Sequence, residues 1–264
     1  MDGLPARVFD SHLHIIEPGF PLCGNAGFLP DPFTIEHYRA RTADLPIIGG
    51  ALVSGSFQGL DTTYLTQALQ RLGPGFAGVA QVAGTISEGE ILGLDRAGVR
   101  GIRCNYYRGA GVGIDELLRL GRRVHEVAGW HVELYLDAAE LPGLRRALRE
   151  LPAVSIDHLG LTARGLPALL RAVDRGARVK ATGFSRGDLP IAQALLAIHS
   201  ANPQALMFGT DLPCTRAPTP FSREDVLTLC EALDGASLDA IFCTNALHFY
   251  RLPLPPADCA PAAG

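Results

Sequence analysis

The sequence predicts a single-domain α/β protein of the (β/α)8 barrel class. Three observations lead there. Eight strand-like runs alternate with amphipathic helical runs along nearly all of the 264 residues, the number and length such a barrel requires. Polar and ionisable residues gather at the C-terminal ends of those strand candidates, where barrels of this class build their sites. The other α/β solution, a doubly wound sheet, loses support because no G-x-G-x-x-G follows the first strand and no G-x-x-x-x-G-K-[ST] occurs.

The first strand candidate is "RVFDSHLHI". Asp10, His12 and His14 stand at alternate positions, so strict two-residue periodicity puts all three on one face. Asp10 is then expected to orient a histidine or the chain turn. The connection over residues 17–46 has no clear periodicity and is placed as a lid over the barrel mouth. "IIGGALVSGSF" follows, ending in Ser54 and Ser56, and then "FAGVAQV". "GIRCNYY" leads to Arg103 and Arg108, "HVELYLD" to Tyr135 and Asp137, and "AVSIDHLG" to His158. "ARVKATGF" carries Lys180 inside with Arg186 just beyond, and "ALMFGTDLP" ends in Asp211. Between them, "TTYLTQALQRL", "IDELLRLGRRVHEVAG", "LPGLRRALREL", "LPALLRAVDRG" and "PIAQALLAIHSAN" repeat apolar residues at helical spacing. The closing segment 222–252 has room for two helices. The barrel is assigned to residues 1–252 and a Pro/Ala-rich tail to 253–264.

Composition narrows the function classes. Hydrophobic residues make up 47% of the chain, enough for one sizeable core. The net charge of −4 and the lack of a basic run argue against nucleic acid as a partner. No apolar run reaches the roughly 18–20 residues of a membrane span. The N-terminus lacks the basic and apolar regions of a signal peptide. A cytoplasmic location is expected, with the six scattered cysteines as free thiols.

A buried ionised group is costly without a partner. His12, His14, His158 and Asp211 therefore ask for a metal, a substrate or a hydrogen-bond network. Together they could ligate one divalent ion such as zinc. Arg103, Arg108, Arg186 and Arg216 fall just past strand ends, where guanidinium forks bind carboxylates, so the expected partner is a small acidic molecule. Ser56 lacks the G-x-S-x-G context of a nucleophile. His125 and His131 do not have H-E-x-x-H spacing, and His131 opens its strand at the end away from the site; His199 and His248 are expected to be structural.

The segments "DSHLHI", "DHLG" and "FGTDLP", in this order, resemble the amidohydrolase superfamily. "GIRCN", "ELYLD", "VKATGFSR" and "TNALHFY" extend the similarity over the chain, toward the branch of 2-pyrone-4,6-dicarboxylate and sugar-acid lactonases. The resemblance implies a barrel hydrolase opening a lactone or related ester of a carboxylated molecule. Asp211 would be the general base, with His12, His14 and His158 polarising the carbonyl and Tyr135 adding a hydroxyl. Ser56 resembles a substrate-contacting serine of the branch, and Lys180 joins the arginines as a substrate-binding candidate. "GIRCN" has no lysine to bridge a binuclear centre, and the branch implies that no metal is required, with one zinc as the alternative. Leu161 or Thr162 stands where an arginine is expected, and Arg216 where an asparagine is, which puts the pyrone dicarboxylate itself in doubt. A zinc-dependent decarboxylase or amidohydrolase, and an inactive metabolite-binding barrel, are the rival readings.

Overall fold

A computed structural model describes residues 5–109 and 111–254. Apart from Pro253 and Leu254, the Pro/Ala-rich tail lies outside the described residues, as does Cys259. Eight strands are present: β1 (Val8–Leu13), β2 (Ile47–Val53), β3 (Phe76–Ala80), β4 (Val99–Asn105), β5 (His131–Tyr135), β6 (Val154–Ile156), β7 (Arg178–Ala181) and β8 (Leu206–Phe208). Each pairs in parallel with the next in chain order. Between β8 and β1 the ring is drawn nearly closed by single bonds. Asp211 N donates to His12 O at 2.7 Å, and His14 N to Leu212 O at 2.8 Å. Ser11 Oγ donates to Met207 O at 3.2 Å.

The strands read as near-continuous apolar runs because both faces are buried. Phe9, Ala51, Val53, Ala77, Val79 and Met207 fill the base of the barrel. Val8, Leu13, Leu52, Ile102, Val132, Leu134, Ile156 and Val179 belong to the larger core beneath the surrounding helices. Those helices are α1 (Ile35–Arg41), α2 (Thr63–Leu72), α3 (Glu88–Arg96), α4 (Ile114–Ala128), α5 (Arg145–Glu150), α6 (Leu166–Val173), α7 (Ile191–Ala201), α8 (Arg223–Ala232), α9 (Gly235–Asp239) and α10 (Asn245–Tyr250). From α10, Tyr250 stacks on Phe9 with ring centroids 5.6 Å apart and meets His131 at 5.2 Å, so His131 belongs to the base, far from the strand ends that carry the site.

Three expectations change. Helices α1 and α3 were not predicted; each starts with a reciprocal cap, Thr34 with His37 and Ser87 with Glu90. The closing segment holds α8, α9, a π turn over Ala240–Thr244 and α10 instead of two helices, because Asp234 caps a fresh start at Gly235 by accepting from Ser237 N. Most consequential is β1, whose register against β2 shifts between Asp10 and Leu13. That irregularity breaks the two-residue alternation. Asp10 leaves the histidine face and binds helix α1 and the end of β8. Its Oδ2 accepts from Tyr38 Oη at 3.0 Å and Thr210 Oγ1 at 2.7 Å, and its Oδ1 from Thr210 N at 2.8 Å. Asp10 orients the chain turn after β8; neither histidine side chain is its partner.

Candidate active site

The C-terminal strand ends converge on a narrow polar cleft. His14, Ser56, Arg103, Arg108, Tyr135, His158, Arg186, Asp211 and Arg216, all expected from sequence, line it, together with Asn105, Phe57 and Thr215. His12 lies just behind, its ring 5.0 Å from that of His14 and 4.9 Å from that of His158. Lys180 does not line the cleft. It is fully buried beneath it, which corrects its expected place among the substrate-binding cations.

Three of these residues sit in strained backbone, Arg216 with a φ of 60° and two more that matter to the chemistry. His158 and Asp211 have φ of 50° and 61°, in the left-handed region that side chains seldom enter. Both follow strands that end after only three residues, so the chain turns abruptly and brings each side chain over the barrel axis. Gly183 makes room: a Cβ there would lie 2.8 Å from both His158 Nδ1 and Arg186 Cδ. The loop over residues 17–31 reaches the mouth as expected of a lid. Asn25 Nδ2 donates to Arg108 O at 3.2 Å, and Arg216 Nη1 donates to Asn25 Oδ1 at 3.0 Å while its guanidinium covers the Phe28 ring at 4.2 Å.

Beneath the cleft lies an ion network whose acids went unassigned in the sequence, Glu133 of β5 and Asp157 after β6. Arg103 donates to Asp157 Oδ2 through Nη2 at 2.8 Å and Nε at 3.2 Å. Lys180 donates to Glu133 Oε2 and approaches His12 Nδ1 at 3.2 Å. Two cations and two carboxylates balance there. Asp157 is held well below the usual carboxylate range: burial opposes this, but the Arg103 guanidinium and the Lys180 ammonium outweigh it.

Asp211 is the acid that faces the cleft. Arg186 Nε donates to its Oδ2 at 2.6 Å. Its Oδ1 has no hydrogen-bond partner and stands 3.8 Å from both His12 Nε2 and His14 Nε2. Burial raises its pKa and Arg186 limits the rise. Burial also lowers the pKa of His12 and His158, and takes His14 down to about 3, so all three are neutral imidazoles. His14 Nδ1 lies 2.7 Å from Val53 O. A carbonyl only accepts, so the His14 proton is on Nδ1 and its Nε2 is an acceptor. This corrects the expectation that all three histidines donate toward an oxyanion. Tyr135 Oη is buried without a partner, a free hydroxyl at the cleft wall. Arg108 and Arg216 have no carboxylate partner among the described residues, so the cleft carries a surplus of positive charge.

Comparison with known proteins agrees with this geometry. A family model described as Amidohydrolase matches residues 9–252. The chain belongs to the amidohydrolase family. It is 32% identical over 162 residues to 2-pyrone-4,6-dicarboxylate hydrolase of Comamonas testosteroni, covering 60% of this chain and 53% of that protein. The alignment therefore spans about half of that relative's length. With 4-sulfomuconolactone hydrolase of Rhizobium radiobacter the identity is 28% over 234 residues, 80% of this chain and 77% of the relative. A provisionally named 2-pyrone-4,6-dicarboxylic acid hydrolase of Acinetobacter baumannii, solved with citric acid bound, matches with a TM-score of 0.82 at 22% identity. That match covers 93% of this chain and 99% of that structure, and establishes the shared barrel.

Amidohydrolases often use a divalent metal, and this chain has residues that fit one ion. His12, His158 and Asp211 bring ligand atoms within 4.8 Å of one another. His12 Nε2 and Asp211 Oδ1 are buried and unpartnered. Of the four ligands expected, His14 stands apart from that group, its Nε2 3.8 Å from Asp211 Oδ1. A second grouping, His12 with Glu133 and Asp157, is already filled by the Lys180 ammonium. No helix is long and apolar enough to cross a membrane among the described residues.

Proposed function

We propose that this amidohydrolase opens the lactone ring of a small carboxylated molecule by attack of water on the ring carbonyl. The unpartnered Oδ1 of Asp211, held by Arg186 through the other oxygen, carries the reading. A carboxylate fixed in this way accepts a proton from water while the water oxygen bonds to the carbonyl carbon. His14 Nε2, a second acceptor 3.8 Å from Oδ1, helps to hold that water. His158 and Tyr135 face the oxygen that gains charge. The carbon–oxygen ring bond then breaks, and the proton passes from Asp211 to the departing oxygen. The product is an open hydroxy acid or its keto form.

Arg108 and Arg216 supply the charge for a carboxylated substrate, with Arg103 and Ser56 on the same wall. Two relatives named as hydrolases of 2-pyrone-4,6-dicarboxylate and 4-sulfomuconolactone support an anionic lactone. The reaction is assigned without a required metal. Arg186 holds one oxygen of Asp211, Lys180 stands 3.2 Å from His12, and both cations oppose a further positive ion. Should an ion bind, His12, His158 and Asp211 would hold it, and it would act as a Lewis acid on the carbonyl.

The test is proton release from a panel of pyrone dicarboxylates, muconolactones and sugar-acid lactones under strong chelator. Turnover that survives chelation and disappears in Asp211→Asn is the expected result. Turnover that appears only after zinc or manganese is restored moves the assignment to a metal-dependent hydrolase.

A further inference from the structure

The two histidines of the H-x-H pair are anchored through the same ring atom, Nδ1, but by opposite kinds of partner. His14 Nδ1 faces the Val53 carbonyl at 2.7 Å and must carry the proton. His12 Nδ1 faces Lys180 Nζ at 3.2 Å. Lys180 is fully buried, donates to Glu133 Oε2 and stands 3.8 Å from Asp157 Oδ1. Between two carboxylates it is an ammonium, which donates three hydrogen bonds and accepts none. A proton on His12 Nδ1 would point one donor at another in a dry interior.

The competing acceptors for such a proton are Asp157 Oδ1 and Glu133 Oε1, 3.4 and 3.7 Å from His12 Nδ1. Neither contact forms a hydrogen bond, and both oxygens are left without a partner. Asp157 spends its other oxygen on Arg103. The single proton of neutral His12 therefore belongs on Nε2, the buried atom that faces Asp211 and the cleft and has no protein partner.

We propose that Lys180 is a positioning residue that holds the H-x-H pair in opposite tautomers, His12 as a donor to the substrate carbonyl and His14 as an acceptor from water. The arrangement also opposes metal ligation by His12, since a metal needs a bare Nε2. Freeing that nitrogen would move the proton to Nδ1, against the ammonium. The proposal deepens the lactonase reading, but its evidence does not depend on turnover.

Long-range proton–nitrogen correlation spectra of the 15N-labelled full chain, under chelator, read each tautomer directly. His12 and His14 are assigned with His12→Gln and His14→Gln. The expected spectrum has His12 protonated on Nε2 and His14 on Nδ1. A His12 protonated on Nδ1 overturns the proposal without any variant of Lys180. Zinc affinity by equilibrium dialysis is the second readout. The Lys180→Met/Glu133→Gln protein, which leaves no unpaired buried charge at that pair, is expected to bind zinc at least about tenfold tighter than wild type. Glu133→Gln alone should match wild type. Equal affinity in the double variant and wild type overturns the role of Lys180. Neither readout needs substrate, so the tautomers can stand if the lactone panel is silent, and ring opening can stand if they fail.

Discussion

Asp211 joins strain, burial and an orphaned oxygen in one residue, and three predictions follow from the cleft side chains. Asp211→Asn keeps the shape but removes the base, so kcat should fall by about 10²–10⁴-fold with KM little changed. Steady-state kinetics on the substrate found in the panel check this; a drop confined to KM would assign Asp211 to binding. The pH profile follows from the same group. A base must be deprotonated, and burial raises Asp211 above the ordinary range, so kcat/KM should rise with pH through a limb centred above about 4. No limb should appear near 6.5, because the three histidines stay neutral well below it. A limb at 6.5 that disappears in His14→Gln would contradict this. Arg108→Met and Arg216→Met should each raise KM about 10-fold or more and leave kcat within a few-fold. Unchanged KM in both would remove them from substrate binding. These arginines were legible as residues past strand ends. The tie from Arg216 to Asn25 was not, because 191 positions separate the two in sequence.

At the scale of elements, the interruption in β1 decides what Asp10 does. Strict alternation put Asp10 beside the histidines, yet the register shift turns it to Tyr38 of α1 and Thr210 after β8. It thereby clasps the open seam between the first and last strands from behind. Asp10→Asn places an amide where donors converge, and should cost roughly 1–3 kcal/mol. A lowered urea midpoint at unchanged slope would show it, while an unchanged midpoint would mean that the seam does not need the clasp. No local signal in "VFDSHL" announces the irregularity, since it arises where β1 meets both neighbours. By contrast, Glu133 could have been found from sequence as Lys180 was, although the role of Lys180 could not. Each stands two residues before a site-facing or site-bonded position, Tyr135 and Thr182 respectively, on the same strand face.

For the whole molecule, the price of a dry site is sensitivity to acid. His12, His14, His131 and His158 are buried and have folded-state pKa values pushed below the unfolded value of about 6.5 by burial, to about 3 for His14 and His131. The unfolded chain binds protons first as pH falls, so the stability these groups allow is fully present above about 6.5 and is lost progressively below it. Each contributes a slope of up to about 1.4 kcal/mol per pH unit over that window. Burial raises Asp10 to about 6 and raises Glu133 as well, so these two carboxyls take up protons in the native state and offset part of that slope. Urea midpoints between pH 7.5 and 5 should therefore still fall with acid, because four histidines outnumber two carboxyls. A flat profile across that window would mean that the histidines are charged or hydrated in the native state.

The sequence by itself determined the eight-strand alternation, the family and nearly every residue that lines the cleft, because strand period and strand-end position are local properties. The tertiary structure decided what those residues do. It moved Asp10 to the seam, buried Lys180 below the cleft and made His14 an acceptor. Each of these depends on a partner brought across the barrel, and hydrogen-bond direction is a property of the pair that no single strand contains.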